Sequence, residues 1–162
     1  MADSEAAAKG TAKAQVFGGV NPIFRVRDLQ ASIDYYVNAL GFKADWGGAD
    51  FASVSRDRCH IFLCVGDQGH FGTWVWIGVE DVEVLLDEIR AKGAKVRHEP
   101  SNYGWAYEMQ IEDLDGNVLR IGSEPREDKP TGDWLDMNGD TWRKLPDGSH
   151  TRVARAEPPG KA

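Results

Sequence analysis

One pattern occurs twice in this chain, and it constrains the fold more than any other feature. With Asp28 set on Asp81, Val26 falls on Val79, Leu29 on Val82, Ile33 on Leu86 and Asp34 on Asp87. Each copy opens with an apolar strand, passes through an Asp suited to a helix N-cap, and continues as an apolar stripe. The first stripe is Leu29, Ile33, Tyr36, Val37 and Leu40, stopped by Gly41; the second is Val82, Leu85, Leu86 and Ile89, stopped by Gly93. Spacings of three and four put each set on one helix face, and glycine suits the C′ position. Three strand-like runs follow each helix, over 42–46, 51–56 and 59–65 and then over 94–98, 105–112 and 117–123. Gly47-Gly48, Asp57-Arg58 and Asp115-Gly116 mark turns between them. The repeat predicts two βαβββ modules, about 20–66 and 72–124, in one α+β domain whose curved mixed sheets surround a cleft.

The flanks read differently. Residues 1–19 are Ala-rich and polar, read as a flexible arm. They lack the apolar segment of a secretory signal, so the expected location is cytoplasmic. No apolar run approaches the ~18 residues of a membrane helix. Residues 124–132 form a polar linker with Pro125 and Pro130. Beyond it, Asn138-Gly139 and Asp147-Gly148 separate short runs holding Trp134, Trp142 and Val153. These predict a small C-terminal β-hairpin or meander within 125–162, too small to stand alone and packed on the main domain or a partner subunit. From residue 155 the chain reads as frayed.

Charge narrows the partners. Residues 20–124 hold 17 acidic and 10 basic side chains, which is the whole of the net charge of −7. Nucleic-acid binders need a basic patch; an acidic domain suits a cationic small ligand or serves solubility alone. Cys59 and Cys64 on one strand are too far apart for a disulfide, and two cysteines are too few for a structural zinc site. Free thiols are expected.

The stretch Thr73-Trp74-Val75-Trp76-Ile77 reads as a strand, with Trp74 and Trp76 on one face. Two indoles side by side make either a core wall or the floor of a pocket for a flat ligand.

The paired modules resemble the vicinal oxygen chelate superfamily, which includes glyoxalase I, extradiol dioxygenases, fosfomycin-modifying enzymes and bleomycin resistance proteins. The resemblance covers residues 20–124. It rests on Pro22-Ile23-Phe24-Arg25-Val26-Arg27-Asp28-Leu29 with Leu40-Gly41-Phe42, and on Asp113-Leu114-Asp115-Gly116-Asn117. Four further pieces resemble the bleomycin resistance branch: Asp50-Phe51-Ala52 with Arg56-Asp57, Ile61-Phe62-Leu63, Trp74-Val75-Trp76-Ile77, and Trp105 followed by Glu108. That branch implies a homodimer with grooves between subunits that hold a planar, cationic antibiotic without changing it. The aromatic wall would be Trp46, Phe51, Phe62, Trp74 and Trp105, with Trp76 on the same strand face as Trp74.

Catalytic members of the superfamily hold a divalent metal on four side chains. The matching positions here are Asn21, Phe62, Trp74 and Arg120, which suit no metal. The resemblance therefore implies a metal-independent, cofactor-free binding protein. His60 shares the Phe62 face and would line the groove; Arg120 either pairs with Glu108 or meets an anionic group of the ligand. The alternative is an enzyme of the same superfamily with a metal-free site, a lyase, isomerase or transferase using His60, Tyr107 or Arg120.

Overall fold

Asp28 and Asp81 cap helices as the repeat predicts. Both have extended backbones, and their carboxylates accept from the first turn: from Ala31 N–H at 2.9 Å and from Glu83 N–H at 2.8 Å. They start α1 (Leu29–Asn38) and α2 (Val82–Ala91). Gly41 and Gly93, with φ of 72° and 83°, turn the chain out of the helices through a conformation that a side chain would strain. The computed structural model describes residues 18–155. The expected arm, apart from Gly18 and Gly19, and the frayed end after Arg155 lie outside the described residues.

Each helix belongs to a four-stranded sheet. The first holds β1 (Ile23–Arg25), β2 (Lys43–Gly47), β3 (Phe51–Arg56) and β4 (Cys59–Cys64) in the order β1-β4-β3-β2. The second holds β5 (Trp74–Gly78), β6 (Val96–Asn102), β7 (Tyr107–Glu112) and β8 (Val118–Ser123) in the order β5-β8-β7-β6. In each, the first strand pairs parallel with the last and the other pairs are antiparallel. The predicted α+β class and the duplicated module are both present. Two boundaries differ from expectation. β6 runs past His98 to Asn102 by shifting register twice, and Pro100 sits within the second shift, where the missing N–H breaks no ladder bond. Trp105 lies in the loop before β7 rather than on the strand.

One face of each sheet is sealed. Phe24, Val54, Ile61 and Leu63 of the first sheet share one buried cluster with Met109, Ile111 and Leu119 of the second and with Val82, Leu86 and Ile89 of α2. The modules thus bury their apolar sides in a common core, and the opposite face of each sheet is left to carry the polar and aromatic residues.

The turn 113–117 joins the modules. Asp113 accepts from its own turn, at 2.8 Å from both Asp115 N–H and Asn117 N–H. It also accepts from the Tyr36 hydroxyl of α1 at 3.2 Å. Asp115 accepts from Arg27 N–H at 3.1 Å and from the Arg27 guanidinium at 2.8 Å. Asn117, with no exposed surface, donates to the Arg25 carbonyl at 3.1 Å and accepts from Thr73 N–H at 3.0 Å. The hairpin turn expected at Asp115-Gly116 joins β7 to β8, and its buried Asp113, Asp115 and Asn117 side chains make it a polar latch.

The C-terminal segment is an antiparallel meander of three strands, the second of the two forms expected: β9 (Trp134–Leu135), β10 (Thr141–Lys144) and β11 (His150–Ala154), in the order β11-β10-β9. Gly139 and Gly148, both at φ 85°, make the two turns. No helix among the described residues is long and apolar enough to cross a membrane.

Asn117→Ala strands the Arg25 carbonyl and Thr73 N–H together, and each unmet buried group costs about 1–3 kcal/mol. Urea denaturation should show a loss of about 2–6 kcal/mol, with an unchanged slope. The Glu83 N–H bond holds the Asp81 carboxyl below its ordinary value of 3.8. Such a group lends stability that is full above its ordinary value and lost as pH falls through the lowered one. Asp81→Ala should therefore lower the urea midpoint at pH 7, and the gap to wild type should close as the pH drops below 3.8.

Candidate functional site

Glu108 is the centre of the open face of the second sheet. It sits on β7, alternating with core residues Tyr107 and Met109, so it points away from the core. It is 3% exposed. Arg120, on neighbouring β8 and diagonal to it (Gly122 is its partner in register), grips it with one side of the guanidinium: Nη2 lies 2.7 Å from Oε1 and 3.0 Å from Oε2, and Nε lies 3.1 Å from Oε1. The carboxylate also takes two indoles. Trp76 Nε1 donates to Oε2 at 3.4 Å and Trp105 Nε1 donates to the same oxygen at 3.3 Å. Two indoles from different elements are thereby held by one atom.

Their rings stay open to solvent, with Trp76 55% and Trp105 53% exposed. Trp76 lies flat because glycine lies beneath it. A Cβ on Gly122 would come within 3.1 Å of the Trp76 ring, and one on Gly78 within 3.3 Å. Any larger residue at 122 would lift the ring. Trp105 is backed by Tyr103, stacked at 4.9 Å with planes 11° apart. Burial pushes the Tyr103 hydroxyl up to about 12, so it stays a neutral donor, to the Asp133 carbonyl at 3.1 Å.

Trp76 and Trp105 line a cleft of about 1150 Å³. Its rim carries Asp57, Glu80, Asp81, Glu88 and Glu124 against Arg56 and Arg58. Of these, Glu88 pairs with Arg56 at 2.7 Å and with Lys92 at 2.8 Å, and Asp81 pairs with Arg126 at 3.0 Å, which leaves Asp57, Glu80 and Glu124 against Arg58. The excess of carboxylates makes the cleft attractive to a cation.

The aromatic residues predicted on the first module gather separately. Trp46 stacks on Phe51 at 5.9 Å, and Phe62 lies 5.7 Å from Trp46 and 5.5 Å from Phe51. Trp46 is 51% exposed. Beside them Asp45 accepts from Ser55 at 2.7 Å and Ser53 at 3.1 Å, and the Ser55 bond draws its carboxyl below the usual range. His60 Nδ1 lies 3.6 Å from Asp45. No described ring of this cluster touches a ring of the Trp76–Trp105 pair, and none of the three lines the cleft. Trp74 is on the same face as Trp76 but is covered: the Arg97 guanidinium lies 5.0 Å above its ring.

The chain's residues do not fit a metal at the positions where catalytic relatives hold one. Phe62 pairs in register with Ile23, Trp74 carries Arg97, and Arg120 is spent on Glu108. No group of three His, Cys, Asp or Glu capable of holding a metal occurs among the described residues. Of the other two residues on which catalysis would lean, His60 lies beside Asp45, and Tyr107 is 2% exposed, donates to Glu83 and accepts from Lys129 at 3.0 Å.

Of the residues expected in the groove, Trp76, Trp105 and Arg120 are brought together on Glu108, and the Arg120–Glu108 pair is one of the two options stated for Arg120. Sequence reasoning missed the anchoring role of Glu108 and the glycine seat at Gly122. A carboxylate at an outward strand position beside two tryptophans is the signal that would have found the first.

Residues 19–121 match the model of the Glyoxalase/Bleomycin resistance protein/Dioxygenase superfamily. No curated protein matches the chain. Among solved structures, the bleomycin-binding protein of bleomycin-producing Streptomyces verticillus, complexed with copper(II)-bleomycin, superposes with a TM-score of 0.57 at 23% identity. It covers 70% of this chain and 100% of its own. TioX from Micromonospora sp. ML1 gives 0.57 at 18%, over 66% of this chain and 99% of its own. A glyoxalase/bleomycin resistance protein/dioxygenase from Nocardioides gives 0.56 at 15%, over 74% and 91%.

Glu108→Ala leaves Arg120 without its partner and both indoles without their acceptor. Arg120 keeps a third of its side chain in water, so the cost should be about 2–3 kcal/mol, below or at the low end for a broken buried pair. Near-UV circular dichroism should lose tryptophan intensity in the folded variant.

Proposed function

The chain belongs to the Glyoxalase/Bleomycin resistance protein/Dioxygenase superfamily, and from that premise we propose that it binds a planar, cationic small molecule without transforming it. The observation that carries this is the pair of open indoles, Trp76 and Trp105, fixed by one buried carboxylate in an acid-rimmed cleft. Exposed tryptophans cost solvation unless something covers them. Anchored N–H groups leave the ring faces as the free surface, and those faces favour flat and positively charged partners. Each stacked pair adds about 0.5–1.5 kcal/mol beyond the area it buries.

The ligand we favour is a bleomycin-type antibiotic, sequestered rather than modified. The Streptomyces verticillus protein, which shares the fold, is complexed with copper(II)-bleomycin. The chemistry of the cleft is consistent with that: aromatic walls for a two-ring planar system and carboxylates for a cationic tail.

We further propose a homodimer. One chain carries two aromatic surfaces, Trp46–Phe51–Phe62 on the first sheet and Trp76–Trp105 on the second, that do not meet. A twofold axis would set the first surface of one copy against the second surface of the other, twice. Asp45 would then add a carboxylate to the groove.

Tryptophan fluorescence should quench saturably with bleomycin at micromolar concentration. Trp105→Ala should weaken the binding at least tenfold without unfolding the protein, and light scattering should give twice the chain mass. Absence of saturable quenching would remove the bleomycin assignment.

A further inference from the structure

The residues after 124 are not part of the repeat, and the matched family region stops at Ile121. They are nonetheless tied to the open face of the second sheet. Gln110, 3% exposed and next to Glu108 on the outward side of β7, donates to the Leu135 carbonyl at 3.2 Å. Arg97, which covers Trp74, donates to the Asp136 carbonyl at 3.0 Å. Asn102 donates to the carbonyls of Arg126 at 2.8 Å and Lys129 at 2.9 Å, and accepts from Arg126 N–H at 2.8 Å. Sheet side chains that would otherwise face solvent are thus committed to holding the extension in one place.

What this delivers is Trp134. Its ring lies 6.5 Å from that of Trp105 with planes 73° apart, so the two form a corner. Tyr103 occupies one face of Trp105, and Trp134 meets Trp105 near-perpendicularly. Trp142 stacks on Trp134 at 6.4 Å, and His150 packs against it edge-on at 4.7 Å. Both brace Trp134, and neither makes a described ring contact with Trp105.

We propose that the C-terminal sheet is an end wall of the ligand groove and that Trp134 sets the length of the planar ligand. The inference rests on the binding reading above and adds a size limit to it. A planar cation laid on the free face of Trp105 would meet Trp134, whose ring stands 6.5 Å away and near-perpendicular, so this corner favours a two-ring system. A longer flat system meets Trp134 before its charge reaches the carboxylates.

Two planar cations of different length test this by titration calorimetry: N-methylquinolinium, with two fused rings, and thioflavin T, an elongated three-ring system. Wild type should bind the quinolinium more tightly. Trp134→Ala should weaken the quinolinium about tenfold and tighten thioflavin T, reversing the order. Trp134→Leu, which keeps an apolar group against Trp142, should shift the ratio in the same direction. Trp142→Ala, which removes a brace but not the wall, should leave the ratio within twofold of wild type. The proposal is overturned if wild type prefers thioflavin T, if the Trp134 variants leave the ratio unchanged, or if Trp142→Ala moves it as far as Trp134→Ala does. In those cases the Trp105→Ala loss of binding would still stand. If wild type binds neither cation and Trp105→Ala changes nothing, the binding reading itself fails and takes the wall with it.

Discussion

Everything in this chain depends on two modules being held back to back by a buried polar turn. Asp113, Asp115 and Asn117 satisfy one another and reach across to Tyr36, Arg27 and the Arg25 carbonyl. Apolar burial supplies the larger driving force, but it has no direction and does not fix how one sheet lies on another. Hydrogen bonds between buried groups do, because any other arrangement leaves carboxylates and amides unmet at a cost of about 1–3 kcal/mol each. Burial also raises the Asp113 carboxyl above its ordinary value, and the bonds from Asn117, the backbone and Tyr36 oppose that rise. With the inner faces committed to the shared core, each sheet has an outer face free for another purpose.

The outer face of the second sheet uses the same device on a smaller scale. Glu108 is a carboxylate fixed by an arginine, and its remaining capacity orients two large side chains. An indole on a bare strand would rotate or fold down on its neighbours. Here Trp76 lies over Gly122 and is pinned at its nitrogen, and Trp105 is backed by Tyr103 and pinned at the same atom. The rings are ordered before any ligand arrives, which lowers the entropic cost of binding. The same Arg120 that completes this arrangement spends its hydrogen bonds on Glu108.

The fold was readable because it is written twice. Asp28 and Asp81, Gly41 and Gly93, and two apolar stripes fix the helices, and the period of the strands follows from them. β6 was misread because its register shifts around Pro100 are a tertiary accommodation with no local pattern. Of the expected groove residues, Trp76, Trp105 and Arg120 share one centre, and Trp46, Phe51 and Phe62 share another. Strand alternation gave which face each occupies, but not that the faces belong to different ends of one chain. Trp74 looked equivalent to Trp76 from alternation alone; a cation from a distant strand covers one and leaves the other open. The extension read as a small hairpin or meander, and no local signal showed that its Trp134 would meet Trp105, which lies in a loop.

The central claim is that open, pre-ordered indoles form the ligand surface. The chain has six tryptophans, and their side-chain N–H signals in 15N-labelled protein report each ring separately. Titration with bleomycin should move the signals of Trp76 and Trp105 strongly and that of Trp46 on the first-module face, with Trp142 nearly still. If no indole signal moves at saturating bleomycin, or only Trp142 responds, the ligand surface described here is wrong.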